Sequence, residues 1–349
     1  MTVPLPVPSP DDANLVNTDK SPLTFKGTPP NAMPTLVAGE ELATLADGDK
    51  RVVVLTADLA GPNRMAEFRD RHPDRFFNVG IAEQNMLSTA AGMAASGLVP
   101  FAATFASFAA LLGCEQLRTD CAYPGLPVRV LGTHAGMSMG YYGTSHHALE
   151  DLAITRSMAD LTVACATDAN LLRAMLRASL DLPGAMYLRL GRGRDIEVYP
   201  SVPEAFEFGR ANRLTEGRDL TLIGTGGEVA ISLRAARLLE AEGISVRVVD
   251  MCTIKPLDTI EILQAAADTS AILTVEEHNV TGGLGSAVAE TLAEARADIP
   301  FARHGIADEY VMLGPPKALY AHYGLDADGI ALRARSLLNQ PIDKGARAT

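Results

Sequence analysis

Apolar positions along this chain recur as short, continuous runs of aliphatic and β-branched residues. Runs of this kind suit strands buried on both faces of a parallel sheet. Arg51-Val-Val-Val-Leu-Thr56 is the clearest, and strands are also predicted at Phe76–Val79, Leu98–Thr104, Pro127–Gly132, Thr162–Cys165 and Ala185–Leu190. Helical stretches lie between them at Ala82–Ser96, Phe108–Tyr123 and Ala169–Leu180. Such alternation implies a mainly parallel sheet with helices on both faces. From Arg194 to Phe208 the rhythm is broken by Pro200, Pro203 and charged residues. A second series follows, with strands at Leu220–Thr225, Ser245–Asp250 and Ala271–Val275 and helices at Val229–Glu242 and Gly285–Ala297. The expected fold class is α/β, with two doubly wound domains at 31–195 and 209–349 and a linker at 196–208. Residues 1–30, rich in Pro, Asp, Asn and Thr, read as a flexible arm and lack the basic-then-apolar order of a signal peptide.

Composition narrows the class. A length of 349 residues suffices for two ordinary domains, and 47% apolar with 21% charged residues is the balance of a globular protein. A net charge of −12 argues against a general nucleic-acid surface, and an anionic substrate would need a local basic pocket. No stretch reaches the ~18 consecutive apolar residues of a membrane span. Neither a nucleic-acid nor a membrane partner is expected, and a cytoplasmic location is. Cys114, Cys121, Cys165 and Cys252 show no Cys-x-x-Cys spacing and read as buried thiols in a reducing compartment.

The most informative chemistry lies in Phe76-Phe-Asn-Val-Gly-Ile-Ala-Glu-Gln-Asn-Met86. A strand runs into Gly80, and a long Ala/Gly-rich helix follows at once. Glu83 therefore stands in a first helical turn at a strand's C-terminal edge, where open α/β sheets bind ligands. The face shared by Glu83, Leu87, Ala90 and Ala94 is otherwise small and apolar. Burial there would raise a carboxyl pKa and let it hold a proton near neutrality. The plainer alternative is an acid that complements the helix dipole.

Gly80-Ile-Ala-Glu-Gln-Asn85, with Pro100-Phe-Ala-Ala-Thr-Phe-Ala-Ser-Phe108 after it, resembles the pyrimidine-binding domain of thiamine-diphosphate enzymes. Transketolase and 1-deoxyxylulose-5-phosphate synthase are the nearest likenesses. The resemblance continues through His134-Ala-Gly-Met-Ser-Met-Gly-Tyr-Tyr-Gly-Thr-Ser-His146, Leu149-Glu-Asp151 and Leu220-Thr-Leu-Ile-Gly-Thr-Gly-Gly-Glu-Val229. It ends with Thr253-Ile-Lys-Pro-Leu-Asp258 and Val275-Glu-Glu-His-Asn-Val-Thr-Gly-Gly-Leu-Gly285. It covers nearly all of the chain after about residue 50.

The resemblance implies roles. Glu83 would hydrogen-bond N1′ of the cofactor's aminopyrimidine, favouring the imino form that removes the thiazolium C2 proton. Phe105 and Phe108 would stack on the pyrimidine. His134 and His146 would contact sugar hydroxyls, the latter also aiding proton transfer at the donor carbonyl. Arg192 matches a phosphate-contacting arginine, a role its guanidinium suits. The family's Gly-Asp-Gly…Asn signature, which binds the diphosphate and its Mg2+ or Ca2+, does not occur in this sequence. A partner subunit carrying that signature is therefore implied, in an α2β2 heterotetramer. The chain would be the β-type subunit of a heteromeric transketolase, moving a two-carbon ketol unit between a ketose donor and an aldose acceptor. The alternatives are a 1-deoxyxylulose-5-phosphate synthase-like subunit, a decarboxylating 2-oxo acid dehydrogenase β subunit and a silent scaffolding subunit.

Three departures limit the likeness. Tyr142 stands where the family places an aspartate that reads a donor hydroxyl, so an altered sugar is implied. Ala57-Asp-Leu-Ala-Gly-Pro-Asn63 lacks the serine that helps hold the acceptor phosphate. Leu111 stands where the family often has a polar or aromatic residue. No metal site is expected in this chain: His134 with His147 is a poor ligand set, and Glu276, Glu277 and His278 read as a polar strand end. Gly282-Gly-Leu-Gly285 is read as packing, since a lone glycine turn is weak evidence for a nucleotide loop.

Overall fold

Val52, Val53, Val54 and Leu55 are all buried, with alternate side chains in two different cores, as a strand covered on both faces requires. The computed structural model describes residues 34–192 and 196–339, so the expected arm at 1–30 lies outside the described residues. The first half runs α1 (Pro34–Gly48), β1 (Val52–Thr56), α2 (Ala66–Arg71), β2 (Phe76–Asn78), α3 (Glu83–Ala95) and β3 (Val99–Phe105). Two π-helical turns, 108–112 and 117–122, flank the short α4 (Cys114–Gln116). Then come β4 (Arg129–Thr133), α5 (Asp151–Arg156), β5 (Thr162–Cys165), α6 (Ala169–Ser179) and β6 (Met186–Arg189).

The second half begins with β7 (Asn212–Thr215), β8 (Leu220–Gly224), α7 (Glu228–Glu240), β9 (Val246–Asp250) and β10 (Thr253–Lys255). It continues with α8 (Thr259–Asp268), β11 (Ile272–Asn279), α9 (Leu284–Glu294), β12 (Phe301–Ile306), α10 (Pro316–His322) and α11 (Ala327–Leu338). The first sheet has the order β10-β5-β6-β4-β3-β1-β2 and the second β12-β11-β8-β9-β7. Every pairing is parallel except β10 with β5 and β7 with β9. This is the doubly wound α/β class expected from the alternation.

Two differences have physical causes. The stretch predicted as one helix at Phe108–Tyr123 is interrupted, because Gly113 packs directly on α3: a Cβ there would lie 2.5 Å from Leu87 Cδ1. Strand β10 lies within the expected second domain yet adds to the edge of the first sheet. One continuous core therefore joins Leu55, Leu87 and Val130 of the first sheet to Ile223, Val249 and Ile254.

Candidate functional site

The parallel strands β2, β3 and β4 all end on one edge of the first sheet, and each delivers a functional group there. Beyond β2, Gly80 takes a left-handed φ of 78° and turns the chain into α3. Glu83 opens that helix and is 6% exposed, above Leu87, Ala90 and Ala94. The Thr104 hydroxyl donates toward its Oε1 at 3.5 Å. At the end of β3, Phe105 is buried and its ring lies 5.6 Å from that of Phe108. Just beyond β4, His134 packs against Phe105 at 4.4 Å, and His146 lies 5.9 Å from Phe105 and 5.3 Å from Phe108. The exposed Tyr142 ring completes the group, 4.9 Å from His146.

Hydrogen bonds fix the tautomer of His134. Asn63 Nδ2 donates to the Ala103 carbonyl at 2.8 Å, so its Oδ1 faces Thr133 as an acceptor. The Thr133 hydroxyl uses its single proton on that oxygen, at 2.7 Å. His134 Nδ1, 2.9 Å from Thr133 Oγ1, must then be the donor. This leaves Nε2 as a lone pair, and Nε2 is buried without a hydrogen-bond partner. Burial lowers the His134 pKa to about 3, reinforced by the charges of Arg192 and Arg64. A neutral acceptor is thereby held ready for a hydroxyl or a proton. Its backbone φ of 58° is strained for a non-glycine residue, a feature that concentrates at functional positions.

The segment between the two histidines is a closed loop. Gly136 and Ala148 form an antiparallel bridge, with hydrogen bonds of 3.0 and 2.9 Å. Met137 and Leu149, beside the bridge, are buried in the core of the second sheet. Asp151, which opens α5 just past the loop, accepts from Tyr187 Oη and from Arg189 Nε, each at 2.8 Å. All three side chains are buried. Arg192 is half-buried on the loop's inner side, where its Nη1 donates to the Ser138 carbonyl at 3.1 Å. Burial lowers the pKa of Arg192 and of Arg64.

Residues 33–194 match the sequence model of the transketolase pyrimidine-binding domain, and residues 209–330 that of the transketolase C-terminal domain. A "putative transketolase C-terminal section" from Methanocaldococcus jannaschii is 42% identical over 297 residues, covering 84% of this chain and 93% of that one. The chain belongs to the transketolase family. It carries that family's pyrimidine-binding and C-terminal domains. It is also 38% identical to one subunit of an apulose-4-phosphate transketolase of Phocaeicola vulgatus, over 84% of this chain and 94% of that one. A solved structure of a split gene transketolase, described as an inactive β4 tetramer, superposes with a TM-score of 0.81 at 41% identity. The match covers 88% of this chain and 98% of that one.

Of the transketolase-type residues expected from sequence, Glu83, Phe105, Phe108, His134, Tyr142 and His146 converge on one sheet edge. Phe105 ends β3, and the helical turn that starts directly after it brings Phe108 beside it. Arg192 is drawn inward beneath the loop. His147 turns away, its Nε2 bonded to the Gly140 carbonyl at 3.1 Å. Among the described residues no group of three His, Cys, Asp or Glu side chains is placed to hold a metal, and no helix is long and apolar enough to cross a membrane.

The polar strand end at 276–278 does more than expected. Glu276 is wholly buried and accepts from the amides of Leu284 and Gly285 at 2.7 and 2.8 Å, closing the N-terminus of α9 with the chain's own carboxylate. His278 Nδ1 lies 2.6 Å from the Asn279 carbonyl oxygen. Sequence reasoning also missed Asn63, Thr133 and Arg64. Thr133 ends β4, and Asn63 and Arg64 lie in the loop between β1 and α2, where no motif marks them.

Proposed function

We propose that this chain is the β-type subunit of a heteromeric, thiamine-diphosphate-dependent transketolase, moving a two-carbon ketol unit from a ketose donor to an aldose acceptor. The observation that carries this reading is the convergence of Glu83, Phe105, Phe108, His134 and His146 on one edge of the sheet. Those residues fit the pyrimidine half of the cofactor. A buried carboxyl meets Thr104, the residue before the Phe105 and Phe108 ring pair, and His134 Nε2 and Ser107 Oγ are buried polar atoms awaiting a partner. When bound, thiamine diphosphate supplies the nucleophilic carbon that cleaves a ketose next to its carbonyl.

The chain's own groups divide the remaining tasks. Glu83 presents its carboxyl to the pyrimidine ring from a buried position at the start of α3. The phenylalanines fix the plane of that ring. His134 accepts a hydrogen bond from a donor hydroxyl through Nε2, and His146 moves a proton at the donor carbonyl. Arg192, with Arg64 near His134, gives an acidic protein the local positive field that a sugar phosphate needs.

The Mg2+ or Ca2+ and the diphosphate contacts are assigned to a partner with the Gly-Asp-Gly…Asn motif, in an α2β2 assembly. Relatives named as a C-terminal section, as one subunit of a transketolase and as an inactive β4 tetramer support partner dependence. So does exposed apolar surface at Ile81, Leu111 and Leu112, close to Glu83 and Phe108 in the chain. The sugar is proposed to be a phosphorylated or otherwise modified ketose. The test is to assay ketol transfer, and to titrate cofactor with Mg2+ calorimetrically, for the chain alone and mixed with such a partner. Activity and tight binding are expected only in the mixture, and tight binding by the chain alone would refute the half-site.

A further inference from the structure

We propose that Glu277, on β11 of the second sheet, is a positioning residue for the histidine loop of the first, holding His134 and His146 beside Phe105. The inference rests on the ketol-transfer reading and assigns the second domain a part in that site. Glu277 Oε1 accepts from the Met137 amide and from the Tyr320 hydroxyl, both at 2.7 Å. Its backbone carbonyl accepts from Arg189 Nη2 at 2.9 Å. The contact with the loop is close. Gly136 has a φ of 70°, and a Cβ there would lie 2.1 Å from the Glu277 carboxylate.

The geometry makes this carboxylate a clasp at the loop's base. Gly136 is bridged to Ala148, so one anchored strand end fixes both ends of the loop. His134 stands two residues before the first bridge residue and His146 two before the second. The far end of the bridge is steadied from the same strand of the second sheet, since the Asn279 amide donates to the Leu149 carbonyl at 2.8 Å. Met137 and Leu149 sit in that sheet's core. Leu313 closes on the loop's crown, where a Cβ on Gly143 would lie 2.2 Å from Leu313 Cδ2. Each of these anchors comes from the second half of the chain. The influence of Glu277 on the histidines passes through the loop backbone, at the Met137 amide.

The alternative is that Glu277 only joins the two halves. Three substitutions separate the two. Glu277→Ala removes the acceptor, Glu277→Gln keeps an oxygen that accepts both donors, and Tyr320→Phe removes one donor. The first measurement needs neither partner nor cofactor. Amide exchange in the chain alone should rise roughly ten- to hundredfold over 136–148 in Glu277→Ala, the size expected for losing a hydrogen bond to a charged group. It should stay near wild type in Glu277→Gln and rise less in Tyr320→Phe.

The second measurement uses the assembled complex. Glu277→Ala should lower kcat by roughly ten- to hundredfold, as small misplacements of catalytic groups do, with cofactor affinity kept and Glu277→Gln restoring most of the rate. On a His146→Ala background it should cost less than about twofold more, because residues acting through one another are not additive. Exchange that rises equally across the second domain, or kinetic losses that multiply in the double variant, would overturn the proposal. A wild-type complex without ketol transfer refutes the functional reading, and the exchange measurement still decides the role of Glu277.

Discussion

Replacing Asp250 by Asn should change the pH dependence of stability in a defined direction. Asp250 ends β9 and is wholly buried where the two halves meet. Its Oδ2 accepts from Thr167 Oγ1 and from the phenol of Tyr199, both at 2.7 Å. Burial raises the carboxyl from 3.8 to about 7, with a further push from Asp168, against the lowering by the two hydrogen bonds. A shift of about three units corresponds to roughly 4 kcal/mol of differential stability between the two protonation states. The folded chain binds this proton more tightly than the unfolded chain. The contribution is therefore fully present below about pH 4 and is lost as pH rises through about 7. Asp250→Asn cannot ionise, and its Oδ1 can accept both donors. It should match wild type within about 1 kcal/mol at pH 4 and exceed it by roughly 4 kcal/mol at pH 8.5. Urea unfolding at both pH values, compared at equal slope, is the assay. An equal difference at the two pH values would show that Asp250 carries its charge in the folded chain at little cost, and would refute the reasoning.

Other outcomes follow from the same structure. Asp151→Ala leaves the buried Arg189 guanidinium without its carboxylate and should cost roughly 3–5 kcal/mol, while Asp151→Leu with Arg189→Met should recover most of that; thermal unfolding checks it, and a loss under about 1 kcal/mol contradicts it. Tyr142→Asp should raise kcat/KM for xylulose 5-phosphate relative to modified ketoses by roughly tenfold or more, measured on a donor panel. An unchanged ranking would remove Tyr142 from the specificity residues.

Central parallel strands were legible because burial on both faces imposes an uninterrupted apolar run, as in β1, β8 and β9. Of the edge strands β2 was legible, whereas β7, β10 and β12 were not. β7 is only partly buried along its length, β10 is three residues long, and β12 carries Arg303 and His304 on a half-exposed edge. Glu83, Phe105, Phe108, His134 and His146 stood out as candidates because they fall in ordered motifs at or soon after strand ends. Glu277 and Asn63 were missed because their partners lie far away in sequence: Met137 is 140 residues from Glu277, and Thr133 is 70 from Asn63. Residues that position a site through such distant backbone contacts leave no local spacing to read.

The central claim is that Glu83 serves the cofactor's pyrimidine and does not merely complement a helix dipole. Proton–deuterium exchange at the thiazolium C2 of thiamine diphosphate, followed in the complex assembled with the motif-bearing partner, tests it most directly. Glu83→Gln keeps the shape of the side chain and a hydrogen bond but cannot share the ring proton. The account predicts exchange slower by roughly a hundredfold or more, the usual size of a lost acid–base contribution. Exchange at the wild-type rate, with the cofactor bound as tightly as before, would contradict it.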